Sequence, residues 1–301
     1  MSKDKNKLIP DLRFTEFRDT ESWKEKRIEE VADYENGKAH EQDIVEQGKY
    51  VVVNSKFIST DGEVRKFSNT ANCPARKDEI LMVLSDVPNG RAIAKCFYVD
   101  KDNLYTVNQR ICKLTPTTVD SRILYYILNR NSYFLSFDDG VKQTNLRNED
   151  VLNCPIILPE NPKEQQKIAA CLSSLDEVLA VQSQKLDALK DHKNGLMQNL
   201  FPQEGETLPK YRFKEFDKDR NWMEKTFEEL FKIGNGRDYK HLDKGDIPVY
   251  GSGGHMLSVD EFLYDGESAC IGRKGTIDKP MFRVTFIFWG VKQFKQIIFQ
   301  V

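Results

Sequence analysis

No apolar run in these 301 residues approaches the ~20 needed to span a bilayer, so a membrane-spanning role is not expected. The opening stretch, MSKDKNKLIP, carries charge with no apolar core behind it and lacks the form of a secretory leader. Cysteine pairs are missing too. Cys73, Cys96, Cys112, Cys154, Cys171 and Cys270 lie scattered with no C-x-x-C among them. That spacing fits free thiols in a reducing cytoplasm better than disulfides or a zinc site. The four histidines, His40, His192, His241 and His255, show no metal-ligand spacing. A glycine-rich stretch, YGSGGH at 250–255, lacks the Lys-Ser/Thr of a phosphate loop and reads as a turn. The formal net charge of −2 gives no overall attraction to polyanions.

What remains is an ordinary globular composition, 39% hydrophobic and 31% charged, at a length that favours two domains. The charge is uneven. Residues 51–147 hold 14 Lys/Arg against 10 Asp/Glu, whereas residues 1–50 hold 10 against 13. The local excess permits a phosphate-facing surface without establishing one.

The chain restarts itself. IPDLRFTEFRDTESWKEKRIEEVADYENGK from Ile9 and LPKYRFKEFDKDRNWMEKTFEELFKIGNGR from Leu208 match at 12 of 30 positions, at an offset of 199. That period is far longer than the roughly 20–50 residues of a solenoid unit and fits a duplicated domain with a connecting element. After Trp23, the spacing of Ile28 and Val31 suggests a short helix ended by Asn36-Gly37. Strand signals follow at 50–54, 79–84, 92–99 and 109–114, and a helix is expected over 120–130 with Asp120 as its cap. Phe57, Phe67 and Phe97 are expected in the core.

Pro155, Pro159 and Pro162 then lead into the clearest periodicity. Ile168, Leu172, Leu175, Leu179, Gln182, Leu186, Leu189, Lys193, Leu196 and Leu200 recur in alternating steps of four and three. This is a heptad seam with two polar breaks, on a helix from about Lys163 to Leu200 that Pro202 stops. A stripe so long calls for a partner helix, and Gln182 and Lys193 would fix its register.

Taken in order, several stretches resemble one family, the DNA-specificity (S) subunits of type I restriction-modification enzymes. VNSKFISTDG (53–62), VLSDVPNGRAIAKCF (83–97) and TVNQRI (106–111) resemble motifs of its target-recognition domains, and GVKQTNLRNEDVLNCPIILP (140–159) resembles the close of one. Residues 164–201 resemble its helical spacer, and CIGRKGTIDKPMF (270–282) the glycine-centred motif of a second reader. The resemblance implies a mixed α/β chain. An α+β target-recognition domain would span 1–160, a long heptad-type spacer helix 161–202, and an incomplete repeat of the first domain 203–301, aberrant after about 282. It also implies that each reader takes half of a split site on double-stranded DNA. Spacer helices would set the gap and dock modification (M) subunits, and restriction (R) subunits would add cleavage. No cofactor is then expected on this chain; S-adenosylmethionine, ATP and Mg belong to the partner subunits.

Base edges are read by side chains with paired donors and acceptors, Arg suiting guanine and Asn or Gln adenine. The first domain offers Asn54, Ser55 and Lys56; Asn89 and Arg91; Asn108, Gln109 and Arg110; and Lys142, Gln143, Asn145 and Arg147. Each has a plainer reading. Asn89-Gly90 forms a turn, Asn108 caps backbone, Arg110 faces solvent, and the Lys and Arg side chains hold phosphates.

Two other readings stand beside this one. A free-standing methyltransferase would carry Asn-Pro-Pro-Tyr/Phe, and no Pro-Pro occurs; nor is there an acidic pair followed by Glu-x-Lys as in a nuclease. The other is a fragment that associates with M subunits and recognises nothing. RVTFIFWGVKQFKQIIFQV (283–301) is apolar, aromatic and free of acids, unlike the first repeat. It raises the expectation of a frameshift or recombination junction near Arg283 that truncates the second reader. One intact reader with one spacer would then pair as an antiparallel homodimer.

Overall fold

The computed structural model describes residues 8–88, 90–251, 254–272, 281–288 and 294–299. The chain divides into two compact units, Met1–Leu186 and Asp187–Val301. The first unit opens with β1 (Lys24–Arg27), a 3-10 turn (Ile28–Glu30) and β2 (Ala32–Asn36). Then come β3 (Ile44–Val45), β4 (Tyr50–Val53), α1 (Ser55–Ser59), β5 (Phe67–Ser68), β6 (Ile80–Val83) and β7 (Ser85–Asp86). It continues through β8 (Cys96–Tyr98), β9 (Tyr105–Val107), β10 (Ile111–Pro116), α2 (Ser121–Leu128) and α3 (Ser132–Leu135). β11 (Thr144–Asn145), α4 (Asn148–Leu152) and β12 (Pro155–Leu158) follow, and then α5 (Pro162–Leu200), whose residues from Asp187 on belong to the second unit.

The central sheet runs β2-β10-β6-β8, all antiparallel. Both its faces are covered, which is why β6 reads as an unbroken apolar run. Ile80, Met82 and Leu84 pack toward α2, α3, α4 and β12 with Leu124, Phe134 and Ile156. Leu81 and Val83 face the other way, toward β4, β9 and α1 with Val51, Phe57 and Val107. Phe57, Phe97 and Tyr105 meet edge to face in this second cluster, with Phe67 at its margin. In a second sheet, β4 lies between β5, antiparallel, and β9, parallel.

The short helix expected after Trp23 is not formed. Lys24–Arg27 pair as a strand with Pro155–Leu158, so Ile28 and Val31 enter the core from a 3-10 turn. A long-range ladder has overridden local helical spacing here. The 120–130 helix forms as α2, with Asp120 Oδ1 accepting from the amides of Arg122 and Ile123 at 3.0 Å. Asn36-Gly37 ends β2, and glycine is needed there for proximity. A Cβ on Gly37 would lie 2.1 Å from the Asn108 carbonyl oxygen.

Helix α5 runs 39 residues, about 58 Å, from Pro162 in its first turn to Leu200. Its start is fixed by a buried carboxylate. Glu164 accepts from Arg13 Nε and Nη2, both at 2.7 Å, and from Trp23 Nε1 at 3.1 Å. Further along, Leu175, Leu179, Leu186, Leu189 and Leu196 of the expected seam are exposed, Leu179 by 67%.

The second unit contains α6 (Phe227–Leu230), β13 (Phe231–Asn235), β14 (Lys244–Gly251), β15 (Gly254–Val259), β16 (Tyr264–Gly272), β17 (Met281–Phe288) and β18 (Phe294–Phe299). Its sheet order, β13-β18-β16-β17-β14-β15, contains the pairing scheme of the first unit. Asn36 faces Cys112, which faces Met82; likewise Asn235 faces Lys295, which faces Ile271. The parallel pair β4–β9 has its counterpart in β14–β17. Residues 283–301 are set apart from the first repeat by composition, yet the described strands within them occupy positions equivalent to β8, β9 and β10.

The opening motif recurs bond for bond at the offset of 199. The Trp23 amide donates to the Leu8 carbonyl, and Trp222 to that of Thr207. Arg13 reaches the carbonyls of Thr20 and Glu21, and Arg212 those of Asp219 and Arg220. The Arg27 amide donates to the Glu30 carboxylate, and that of Thr226 to Glu229.

Candidate nucleic-acid interface

The residues singled out as base readers lie at one rim of the first unit, strung along backbone hydrogen bonds. Parallel strands β4 and β9 end together at Val53 and Val107, so Asn54 and Asn108 emerge side by side, with the Asn108 amide donating to the Val53 carbonyl at 3.0 Å. Two residues on, the Arg110 carbonyl accepts from the Leu84 amide at 3.0 Å, and the Leu84 carbonyl accepts from that of Leu146 at 2.8 Å. The rim therefore passes from Asn54 through Asn108 and Arg110 to the pair β7–β11 and to Arg147.

At β7–β11 the side chains are organised as well. Ser85 and Asn145 face each other in the ladder. Ser85 Oγ donates to Asn145 Oδ1 at 2.7 Å and accepts from Gln143 Nε2 at 2.7 Å, and Gln143 Nε2 also approaches Asn145 Oδ1 at 3.2 Å. With those atoms engaged, Gln143 keeps its side-chain acceptor, Oε1, and Asn145 Nδ2, which donates to the Gln143 carbonyl oxygen at 3.4 Å, keeps a second hydrogen.

Three acids near the rim are spent on local structure. Asp86 closes the loop at 87–93, accepting from the amides of Val87, Ala92 and Ile93 at 2.9, 2.6 and 3.1 Å. Gly90 packs on that carboxylate, where a Cβ would lie 2.1 Å from Asp86 Oδ2. The amides of Lys142 and Val141 hold the Asp139 carboxyl below its ordinary range. Glu41 accepts from Gln109 Nε2 at 2.8 Å. By contrast Lys56, Arg91, Arg110, Lys142 and Arg147 are exposed, and none forms a salt bridge among the described residues. Five exposed cations without salt bridges therefore stand along the rim of a chain of net charge −2.

Some candidates are less available than their sequence suggests. Asn54 caps α1, its Oδ1 accepting from the Phe57 amide at 2.9 Å. Ser55 Oγ is buried and without a partner among the described residues, as is Thr144 Oγ1 between Gln143 and Asn145. Asn89 lies outside the described residues. Sequence reasoning missed Ser85 and Asp86, which position the readers; the Ser-Asp pair ahead of VPNG is the only local cue for them. Among the described residues there is no cluster able to hold a metal ion, and no helix is long and apolar enough to cross a membrane.

Comparison with known proteins bears on the fold and the family. The family described as type I restriction modification DNA specificity domain matches residues 20–191. Among solved structures, a type I restriction-modification system S subunit from M. genitalium superposes with a TM-score of 0.63 at 20% identity, covering 96% of this chain and 75% of that one. Looser likenesses are an HsdS subunit from Thermoanaerobacter tengcongensis (TM-score 0.38, 14% identity, 92% and 75% covered) and a structure describing assembly of the type I R-M system (0.45, 17%, 58% and 43%). No curated protein matches the chain. The first superposition shows a shared fold, and the family match spans more than half of the sequence. This chain belongs to the type I restriction-modification DNA specificity family.

Proposed function

We propose that the chain is a non-catalytic reader that directs adenine methylation and cleavage by partner subunits to a split site on double-stranded DNA. The observation that carries this reading is the rim itself, where amide side chains and exposed cations without salt bridges line up along backbone hydrogen bonds. The cations Lys56, Arg91, Arg110, Lys142 and Arg147 would hold phosphates and fix register. Gln143 Oε1 and the remaining Nδ2 hydrogen of Asn145 offer an acceptor and a donor, the complement of adenine's N6 amino group and N7. Arg110 at the same rim would suit guanine. S-adenosylmethionine, ATP and Mg enter through M and R subunits, which supply the chemistry.

The spacer α5 would meet a partner helix along Ile168, Leu172, Leu175, Leu179, Leu186, Leu189, Leu196 and Leu200. Two copies joined antiparallel there would form a two-fold dimer reading a palindromic split site, since the symmetry of the protein is mirrored in its DNA. The deciding experiment is genome-wide adenine methylation in a host that supplies cognate M subunits, with and without this chain. A new split motif is expected, and a palindromic one identifies the homodimer. No new motif, with protein and M subunits both present, leaves the chain as an associating fragment that reads nothing.

A further inference from the structure

Between β1 and α5 the two most exposed large apolar side chains among the described residues are Val141, at 75%, and Val87, at 63%. One exposed valine needs no explanation. These two come from distant segments and flank the same triangle of Ser85, Gln143 and Asn145. Val87 directly follows the ladder that sets Ser85 against Asn145 and Asp86 against Thr144, and Gln143 directly precedes it. Val141 stands two residues before Gln143. Carboxylates tie down both valines through the main chain. The Val87 amide donates to Asp86 Oδ1 and the Val141 amide to Asp139 Oδ1, each at 2.9 Å. The Gly90 amide closes the first turn on the Val87 carbonyl, also at 2.9 Å. The backbones are thus held while the isopropyl groups stand in water. Each valine also has an exposed cation close by in sequence, Arg91 after Val87 and Lys142 after Val141.

Apolar groups set among amides and exposed cations match one feature of double-stranded DNA. In the major groove thymine shows a C5-methyl beside its O4 acceptor, and adenine across the pair shows N6 and N7. That methyl is the one apolar group among the base edges of the groove. Resting on the reading of the rim as a DNA interface, we infer that Val87 and Val141 read thymine methyl groups in the half-site whose adenine Gln143 and Asn145 take. The amides then recognise the adenine edge and the valines the thymine edge. A G·C pair offers a methyl to neither valine. Phosphates alone would account for Arg91 and Lys142 but give the two isopropyl groups no partner.

The test uses the full chain with its cognate M subunits and duplexes carrying the motif found by methylation mapping. At each thymine of the motif in turn the duplex is made with deoxyuridine, which lacks only the C5-methyl and keeps every hydrogen-bonding group. Because the methylated base is adenine, each half-site contains such a position. Binding should weaken about fourfold at one or more of them, the worth of one methyl group withdrawn from contact. Val87→Ala or Val141→Ala should weaken binding to the thymine duplex by a similar factor. Each should erase the difference between thymine and uracil at the position it touches, with the slope of log K against log salt unchanged. Uracil tolerated at every position, with the motif still bound specifically, overturns the assignment and leaves the proposed function intact. Uracil sensitivity that persists in the double variant places the methyl contact on other residues and overturns it as well. Loss of M-subunit association in the valine variants, with the thymine-to-uracil ratio unchanged, makes the valines a protein contact instead. A chain that yields no motif removes the proposed function and this inference together.

Discussion

Ser85, Gln143 and Asn145 form a closed triangle of side-chain hydrogen bonds, and what each can offer a base is set by what the triangle leaves over. Asn145→Ala removes the amide donor, one of whose hydrogens bonds the Gln143 carbonyl oxygen, and unlocks Gln143. It is expected to cost about 1–3 kcal/mol of discrimination at one base pair, seen as a relaxed methylation motif at that position alone. Away from the rim, the Arg13–Glu164 pair is closed to solvent and bidentate. Glu164→Ala strands a buried guanidinium and should cost about 3–5 kcal/mol, read as a lower denaturation midpoint. Burial pushes the thiols of Cys112 and Cys154 up to about 12 and that of Cys73 up to about 11, and it raises Cys96 as well. Cys171 is exposed. Alkylation of the native chain at pH 8 should therefore label Cys171 first, and early labelling of Cys112 or Cys154 would contradict the packing described for them.

Among elements, α5 carries the boldest expectation. Its exposed leucines have no cover among the described residues, so Leu179→Asp with Leu186→Asp should leave the thermal unfolding of the first unit unchanged. The same pair should abolish association through the helix; unchanged mass and M-subunit binding would refute the seam. This helix was legible because a four-three alternation sustained over ten positions keeps one stripe of a helix in line and matches no strand period. Strands β4, β6 and β10 were legible because sheets buried on both faces leave unbroken apolar runs. β1 was not. Lys24-Glu25-Lys26-Arg27 carries no apolar signal, and its strand character comes from Pro155–Leu158, more than 120 residues away. The rim was legible as a set of residue types, but not as a line, because the hydrogen bonds from Asn108 to Val53 and from Leu84 to Arg110 join distant segments. Glu164 escaped notice for a similar reason: its partners lie about 150 residues earlier.

At the scale of the whole molecule, a net charge of −2 gives the bulk no attraction to DNA, so the proposed function assigns that attraction to the rim. Replacing Lys56, Arg91, Lys142 and Arg147 one at a time by Ala should weaken binding to all sequences alike. Each replacement leaves one phosphate without its cation and should make the slope of log K against log salt shallower by about one, which a titration at several salt concentrations reads directly. The rim's support has a further consequence. The bonds that join Asn108 and Arg110 to their neighbours run through main-chain amides and carbonyls, which every residue but proline supplies, as does the ladder beneath Asn145. Side chains at these positions can be exchanged while the ladder beneath them stays in place. If the rim reads DNA as proposed, a lineage carrying this domain can exchange readers at these positions while keeping the frame, with fidelity of the frame and novelty of the message inherited separately.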